Sequence, residues 1–158
     1  MTKLPASPDF DFFMGLWRCR HRFLARRLAD CQQWLEFDGT CAVRKILDGY
    51  GNTDESDIRL PGQPYKGITV RTFDPTSGLW SIYWSDSRTP GRLTPPVVGR
   101  FENGVGTFYG DDTCESHAVR VRFIWSRITA QSARWEQAFS VDGGRRWEDN
   151  WRMDFTRM

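Results

Sequence analysis

The sequence predicts an all-β protein, an up-and-down antiparallel barrel of about ten strands joined in chain order. Residues rich in Val, Ile, Phe, Tyr, Trp and Thr alternate with polar residues, a period of two that is typical of strands with one solvated face. No comparable stretch keeps the 3.6-residue period of a helix. A meander of this length has two unpaired edges unless it closes into a ring. A barrel is therefore favoured over the alternative, a two-sheet sandwich with crossing connections.

Turn-forming residues divide the chain into these strands. Gly, Pro, Asn, Asp and Ser cluster at short intervals, and short connections favour antiparallel neighbours. The longest connection covers residues 85–99, and its prolines indicate a stiff rim or a homodimer contact rather than a mobile flap. The turn segments are 48–52, 61–64, 74–78, 89–96, 102–104, 129–132 and 142–144.

The segment FDFFMGLW, residues 10–17, is more aromatic than the start of an ordinary strand. We expect a short 3₁₀ turn here that closes one end of the barrel, with the three phenylalanines as the stopper. Gly15 then permits a sharp turn into the first strand, and Trp17 points inward as the floor. The alternative is an N-terminal hydrophobic anchor that packs against any β-core. The residues assigned to this closure are Phe10, Phe12, Phe13, Gly15 and Trp17.

The first strand places apolar and basic residues on opposite faces. Its inward positions are Trp17, Cys19, His21 and Phe23, and its outward positions are Arg18, Arg20 and Arg22. The segment that follows, residues 23–33, fits either a helical turn or a strand end.

The later strands show the same alternation, which defines their inward faces. Arg and Glu recur at the outward positions, so the basic residues indicate a solvated outer wall rather than a track for nucleic acid phosphates. The inward sets are Trp80, Ile82 and Trp84; Val119, Val121, Phe123 and Trp125; Trp135, Phe139 and Val141; and Trp147, Trp151, Met153 and Phe155.

Four segments, FDFFMGLW…RFL, RTFDPTSGLWSIYW, VVGRFENGVGTFYG and RWEQAFSVDGGRRWEDNWRMDFTR, resemble a group of bacterial lipocalin-like proteins of uncharacterised function. The G-x-W at Gly15 and Trp17 resembles the first motif of the lipocalins and their calycin relatives. The resemblance implies that an arginine near the end of the last strand packs on Trp17. Arg157 shares the inward parity and is the choice, with Arg152 as the alternative. The middle lipocalin motif is not evident, so the chain looks closer to short, intracellular ten-stranded calycins than to secreted lipocalins.

A barrel of this size is wider than the ~8-strand barrel that side chains just fill, so we expect an internal cavity. An aromatic interior with few polar groups is typical of a small-molecule site, although the same polar groups also suit a network within a barrel core. Asp149 is a further inward candidate by strand parity. The residues predicted to bind a ligand are His21, Trp84, Tyr109, Trp135, Gln137 and Trp151.

His21 is the one candidate for catalysis. An inward imidazole can hold an acidic group of a ligand or act as a general base. The alternative is a buried histidine that is hydrogen-bonded to a neighbouring strand and has a structural role only.

Length and composition exclude several other classes. The chain of 158 residues fits one domain, 1–158, in which we expect residues 1–8 to be flexible. The net charge of +2 gives no strong field for nucleic acid or an acidic membrane, and no apolar run approaches the ~20 residues of a spanning helix. The start MTKLPASPD lacks the apolar segment of a secretory signal, and the four cysteines form no CxxC pair, which favours the cytoplasm.

Metal and cofactor sites are not expected. The two histidines, His21 and His117, have no neighbouring ligand at a recognised spacing, so no metal is predicted. Some ten-stranded calycins bind haem through a histidine near their C-terminal end. This sequence has no histidine after His117, so haem would need another ligand.

The sequence predicts binding of a small, largely apolar or aromatic molecule in the barrel, without chemistry. The first alternative is a lyase or isomerase that uses the same cavity with His21 as acid/base. The second is an interaction module that works through the outer face or the proline-rich loop.

Overall fold

Ten antiparallel strands form one closed barrel in a computed structural model, which confirms the predicted fold class. The structure describes residues 2–158; Met1, which belongs to the segment expected to be flexible, lies outside the described residues. Short 3₁₀ turns occupy Asp11–Phe13 and Leu47–Gly49. The strands are β1 Gly15–Leu24, β2 Trp34–Ile46, β3 Gly51–Ile58, β4 Tyr65–Asp74, β5 Leu79–Asp86, β6 Val97–Glu102, β7 Val105–Cys114, β8 His117–Ser126, β9 Ser132–Ser140 and β10 Glu148–Arg157.

The ring closes between the first and last strands. Each strand pairs with its neighbours in sequence, and β1 also pairs with β10, from Trp17 opposite Arg157 to Phe23 opposite Trp151. Every strand therefore has a partner on both sides, which satisfies the backbone groups that an open sheet would expose at its edges. In the part of the chain that the structure describes, no helix is long and apolar enough to cross a membrane.

The N-terminal 3₁₀ turn closes one end of the barrel, as expected. Phe13 and Trp17 are fully buried, and the Trp17 Nε1–H donates a hydrogen bond to the Phe13 carbonyl over 2.8 Å. The Phe13 ring packs edge-on against Trp125 and Phe155, with centroid distances of 4.7 and 5.0 Å. Phe12 is half-buried at the margin of this cluster. The base of the barrel is therefore filled with aromatic rings rather than open to water.

Arg157 joins the last strand to this base. Its guanidinium carbon lies 4.2 Å from the Trp17 ring centroid, and its two terminal nitrogens each donate over 2.6 Å, to the carbonyls of Phe12 and Met14. Gly15 has a positive φ of 110°, and a Cβ at this position would come within 3.0 Å of the Arg157 guanidinium. The close approach therefore requires a glycine at the start of β1.

A β-bulge changes the parity at the start of β10. The pairing of β10 with β9 shifts between Asp149 and Trp151. Residues before the bulge consequently face the other way, and the expected inward positions of Trp147 and Asp149 are wrong. Trp147 packs outside against the Tyr109 ring, at a centroid distance of 6.0 Å, and the Asp149 side chain is exposed.

Two further orientations differ from the sequence analysis. Tyr109 is 40% exposed on the outer wall because the adjacent Phe108 takes the inward position on β7. Burial of the phenylalanine avoids the cost of a buried hydroxyl, and the tyrosine hydroxyl reaches water. The expected inward position of Val141 is wrong, because β9 ends at Ser140 and the valine is exposed in the following turn.

The segment 23–33 contains no helical turn. β1 continues to Leu24, and a loop of bends and turns, residues 25–33, leads to β2. The long proline-rich connection is shorter than expected, because β5 extends to Asp86 and β6 begins at Val97. These two loops lie at the end of the barrel opposite the aromatic base, and both contribute residues to the interior cavity.

Candidate functional site

The barrel encloses a cavity of about 260 Å³. It reaches from Phe13 at the closed base to the β5–β6 loop, residues 87–96, at the opposite end. A space of this size accommodates a small organic molecule of one or two rings, near the lower limit of known ligand pockets.

Aromatic rings of β8, β9 and β10 form one wall of the cavity, and Trp84 reaches this wall from β5 on the other side of the barrel. The Trp135 and Trp151 rings lie 5.2 Å apart between centroids, and the Trp84 and Trp151 rings lie 5.8 Å apart. In both pairs the ring planes are nearly perpendicular. Gln137 is the polar residue within this wall, and its amide nitrogen donates to the Asn150 side chain over 2.8 Å. These rings offer rigid apolar surface that loses little conformational entropy when a ligand binds. The wall is completed by Phe123, Trp125, Phe139, Met153 and Phe155.

The opposite wall, from strands β2 to β4, is polar. Arg71 forms a buried ion pair with Asp54, with an Nη2–Oδ2 distance of 2.7 Å, and its other terminal nitrogen donates to Asn52 over 2.8 Å. The two charged side chains are 5% and 3% exposed, and the Arg71 guanidinium lies over the Phe10 and Phe13 rings. A buried ion pair of this kind is stable only when both partners are present.

Sequence reasoning missed this ion pair. Alternation rules assign charged residues to the outer face, and neither Asp54 nor Arg71 has an apolar pattern that would reverse the assignment. The one available signal is a pair of opposite charges in adjacent strands. Asp54 is opposite Thr69 and Asn52 is opposite Arg71, so the charges meet on the diagonal.

His21 is buried but lies behind the cavity wall. It is 1% exposed, its ring stacks on Phe37 at 4.8 Å, and the Trp151 Nε1–H donates to its Nδ1 over 3.1 Å. His21 does not line the cavity. Burial lowers the pKa of His21 to about 4, so the imidazole is neutral at pH 7. Trp151 thus separates His21 from a ligand and occupies its lone pair, and this geometry gives no support to acid/base catalysis.

The buried cysteine on β1, Cys19, is a thiol rather than a thiolate. Cys19 and Cys41 lie diagonally on the inner face, and a hydrogen bond between them together with burial raises the pKa of Cys19 well above its usual range. Neither of these two cysteines forms a disulfide, and Cys31 and Cys114 are also free. Among residues 2–158, no group of three or more His, Cys, Asp or Glu side chains could hold a metal ion.

Paired charges frame the open end of the cavity. Arg88 binds Asp86 through two hydrogen bonds of 3.1 and 2.9 Å, and its guanidinium lies 3.7 Å from the Tyr65 ring centroid. Burial raises the pKa of Asp86, but hydrogen bonds from Arg88 and Trp84 outweigh it and lower the pKa overall. Arg92 forms a second ion pair, with Asp112 across the mouth.

The β5–β6 loop is attached to the cavity wall. The Thr94 N–H donates to the Trp84 carbonyl over 2.8 Å, and the Trp84 N–H donates to the Thr94 hydroxyl over 3.0 Å. The Trp84 indole N–H also donates to Asp86 over 3.0 Å. These bonds fix the Trp84 ring in the cavity and connect its position to the rim.

The structure brings four of the six predicted ligand residues to the cavity. Trp84, Trp135, Gln137 and Trp151 line it, whereas His21 lies behind Trp151 and Tyr109 faces outward. The sequence was compared with known protein families and with curated proteins, and neither comparison found a match.

Proposed function

We propose that this protein binds a small, largely apolar or aromatic molecule in the barrel cavity. The observation that carries the proposal is an interior space of about 260 Å³ that is lined by the rings of Trp84, Trp135 and Trp151. Apolar surface of this kind is the main source of affinity for small ligands, and a few polar groups orient them. The polar wall around Asp54 and Arg71 supplies such groups.

The geometry favours binding over catalysis. Asp54 is held in an ion pair, and His21 is separated from the cavity by an indole. A general acid or base has to reach the proton that it transfers, directly or through one water molecule.

The closed ten-stranded barrel is consistent with a lipocalin-like fold. We propose membership of the lipocalin-like group on this architecture together with the sequence resemblance. We also propose a cytoplasmic location, for which four unpaired cysteines are the support.

A substitution that fills the cavity tests the proposed function. Val121 lines the cavity, and Val121→Trp would occupy much of its volume. Val105→Trp makes the same chemical change at a position on the outer wall that is 40% exposed. We expect wild type and V105W to bind the neutral fluorophore N-phenyl-1-naphthylamine at one saturable site. V121W should bind it about tenfold more weakly or not at all, because the aromatic surface is covered.

The measurement is fluorescence titration, with circular dichroism to establish that all three proteins are folded. Absence of saturable binding by wild type contradicts the proposal, whatever the variants do. Equal affinities of folded V121W and V105W would place the fluorophore outside the barrel and contradict it as well.

A further inference from the structure

Arg27 is a cation at the cavity that has no acceptor. It belongs to the loop between β1 and β2 and lines the cavity. Its guanidinium lies over the rings of Phe23 and Phe139, at 4.6 and 5.3 Å from their centroids. The residue as a whole is half-buried, and its Nε is buried without a hydrogen-bond acceptor. Aromatic faces attract the positive charge, but they do not replace the hydrogen-bond acceptors that the guanidinium N–H groups require.

The other arginines that line the cavity are all neutralised. Arg71, Arg88 and Arg92 form ion pairs with Asp54, Asp86 and Asp112. Within residues 2–158, Arg27 forms no ion pair with a carboxylate. The nearby Glu148 accepts the Leu28 backbone N–H over 2.8 Å instead.

Among the charged neighbours, Glu148 attracts the Arg27 guanidinium and Arg88 repels it. Two further acidic side chains near Arg27 are uncharged at neutral pH. They are Cys114 and Tyr65. Burial raises the pKa of Cys114, and it raises the pKa of Tyr65 to about 12. Neither can serve as the counter-ion. The Tyr65 hydroxyl is itself buried without a hydrogen-bond partner, so a second unused donor lies in this region.

A guanidinium keeps its charge at any physiological pH, and a desolvated charge without a counter-ion is costly. Burial accordingly lowers the pKa of Arg27. An anion placed at the cavity side of Arg27 would offset this cost, because the penalty for partly burying the charge is already contained in the empty protein.

We propose that the ligand carries a carboxylate that pairs with Arg27 while its apolar or aromatic part lies against the tryptophans of the cavity. This inference rests on the proposed function and names the chemical class of the ligand. A planar carboxylate matches the two parallel donors of a guanidinium. One unpaired guanidinium balances one negative charge, and the other cavity arginines at the mouth, Arg88 and Arg92, are already paired with Asp86 and Asp112, so no second cation is available for a doubly charged phosphate.

Two ligands of the same shape test the charge. Naphthalene-2-carboxylate and naphthalene-2-carboxamide differ only in the charged group, and both can be measured by displacement of N-phenyl-1-naphthylamine. We expect wild type to bind the carboxylate about tenfold more tightly than the amide, because hydrogen bonds to a charged group are the stronger ones.

The matched variants are Arg27→Met and Arg26→Met. Each removes one positive charge from the same loop, but Arg26 is exposed and does not line the cavity. We expect R27M to lose the preference for the carboxylate over the amide, and R26M to keep both this preference and the wild-type affinity for the fluorophore. R27M should also melt no lower than wild type, because methionine fills the space without a buried charge.

Three results would overturn the inference. Equal affinity of wild type for the two naphthalene ligands would show that the site does not recognise the negative charge of the ligand. Retention of the preference in R27M would assign it to another residue. A lower melting temperature of R27M with equal loss of all three ligands would make Arg27 a structural clamp. A wild type that binds no fluorophore contradicts the proposed function itself, whereas the first two results leave that function intact.

Discussion

His21 shows how a buried base affects the stability of the barrel. In the folded protein it accepts a hydrogen bond from Trp151 and stacks on Phe37, and it is neutral because burial lowers its pKa to about 4. In the unfolded chain a histidine has a pKa near ~6.5. Between these two values the unfolded chain binds the additional proton.

The sign of the pH effect follows from this difference. The folded-state pKa is depressed, so the stabilisation is fully present above about pH 6.5 and is lost as the pH falls towards 4. The loss attributable to His21 should reach about 3 kcal/mol at the lower end. Urea unfolding of wild type and His21→Gln at several pH values between 4 and 7 measures it, because glutamine can accept the Trp151 bond but does not titrate.

The matched control for this experiment is His117→Gln. His117 is exposed, and the chain contains no third histidine. H117Q should follow the pH dependence of wild type, whereas H21Q should lose stability less steeply on acidification. Parallel curves for wild type and H21Q would contradict the prediction.

The inward position could be predicted from the sequence for some residues of the site but not for others. Trp84 and Trp135 could be placed inside because their strands alternate regularly through both positions. Arg71 and Arg27 could not, because a charged residue is assigned to water unless its surroundings are known. For Arg71 the surroundings are a carboxylate on the next strand; for Arg27 they are two aromatic rings.

At the scale of elements, the N-terminal 3₁₀ turn depends on the last strand for its attachment. Arg157 supplies two hydrogen bonds to carbonyls of the turn region and a cation–π contact to Trp17. Lysine keeps the charge but cannot donate to both carbonyls from a planar fork. We expect Arg157→Lys to lower the free energy of unfolding by about 1–3 kcal/mol, measured by urea denaturation.

Arg100→Lys is the control for this substitution. Arg100 is exposed on the outer wall, and the same exchange there should leave the unfolding free energy unchanged. If R157K and R100K unfold at the same urea concentration, the turn is held by its phenylalanines alone and the prediction is wrong.

The bulge in β10 explains why one element was only partly predicted. Trp147, Trp151, Met153 and Phe155 follow a single parity in the sequence, and only the last three face inward. A bulge adds one residue to one strand without a distinctive sequence pattern, so alternation cannot reveal it. The aromatic pair of Trp147 with Tyr109 on the outer wall has the same origin.

At the scale of the whole molecule, the shortest pairing between neighbouring strands of the ring is that of β5 with β6. These strands pair only over residues 80–82 and 97–99, whereas β1 and β10 pair from residue 17 to residue 23. The loop that joins β5 to β6 is also the one at the cavity mouth. A short ladder beside a long loop opens at a lower free-energy cost than a long ladder.

Native-state hydrogen exchange measures this difference. We expect amides of β6 to exchange through local opening, at a rate that does not change when a low concentration of denaturant is added. Amides of β1 and β10 should exchange only through global unfolding, at a rate that rises with denaturant. Exchange of the β1–β10 amides before those of β6 would contradict the prediction and place the weak point at the junction of the chain ends.

The architecture as a whole was the most predictable level. Closely spaced turns and period-two alternation are properties of the entire chain, so errors at Tyr109, Val141 and Trp147 leave strand number and order unchanged. Closure could be predicted because free edges are unfavourable in a long meander. The shape of the cavity could not, since it depends on which side chains meet across the ring.

The pairing of β1 with β10 has a consequence for the nascent chain. β1 leaves the ribosome first, and its final partner cannot reach it until residue 157 has been translated. At typical rates of synthesis this delay is on the order of ten seconds, during which one edge of β1 is available to other nascent chains. Arg18, Arg20 and Arg22 place a positive charge at every second position of that strand, and such charges discourage intermolecular pairing.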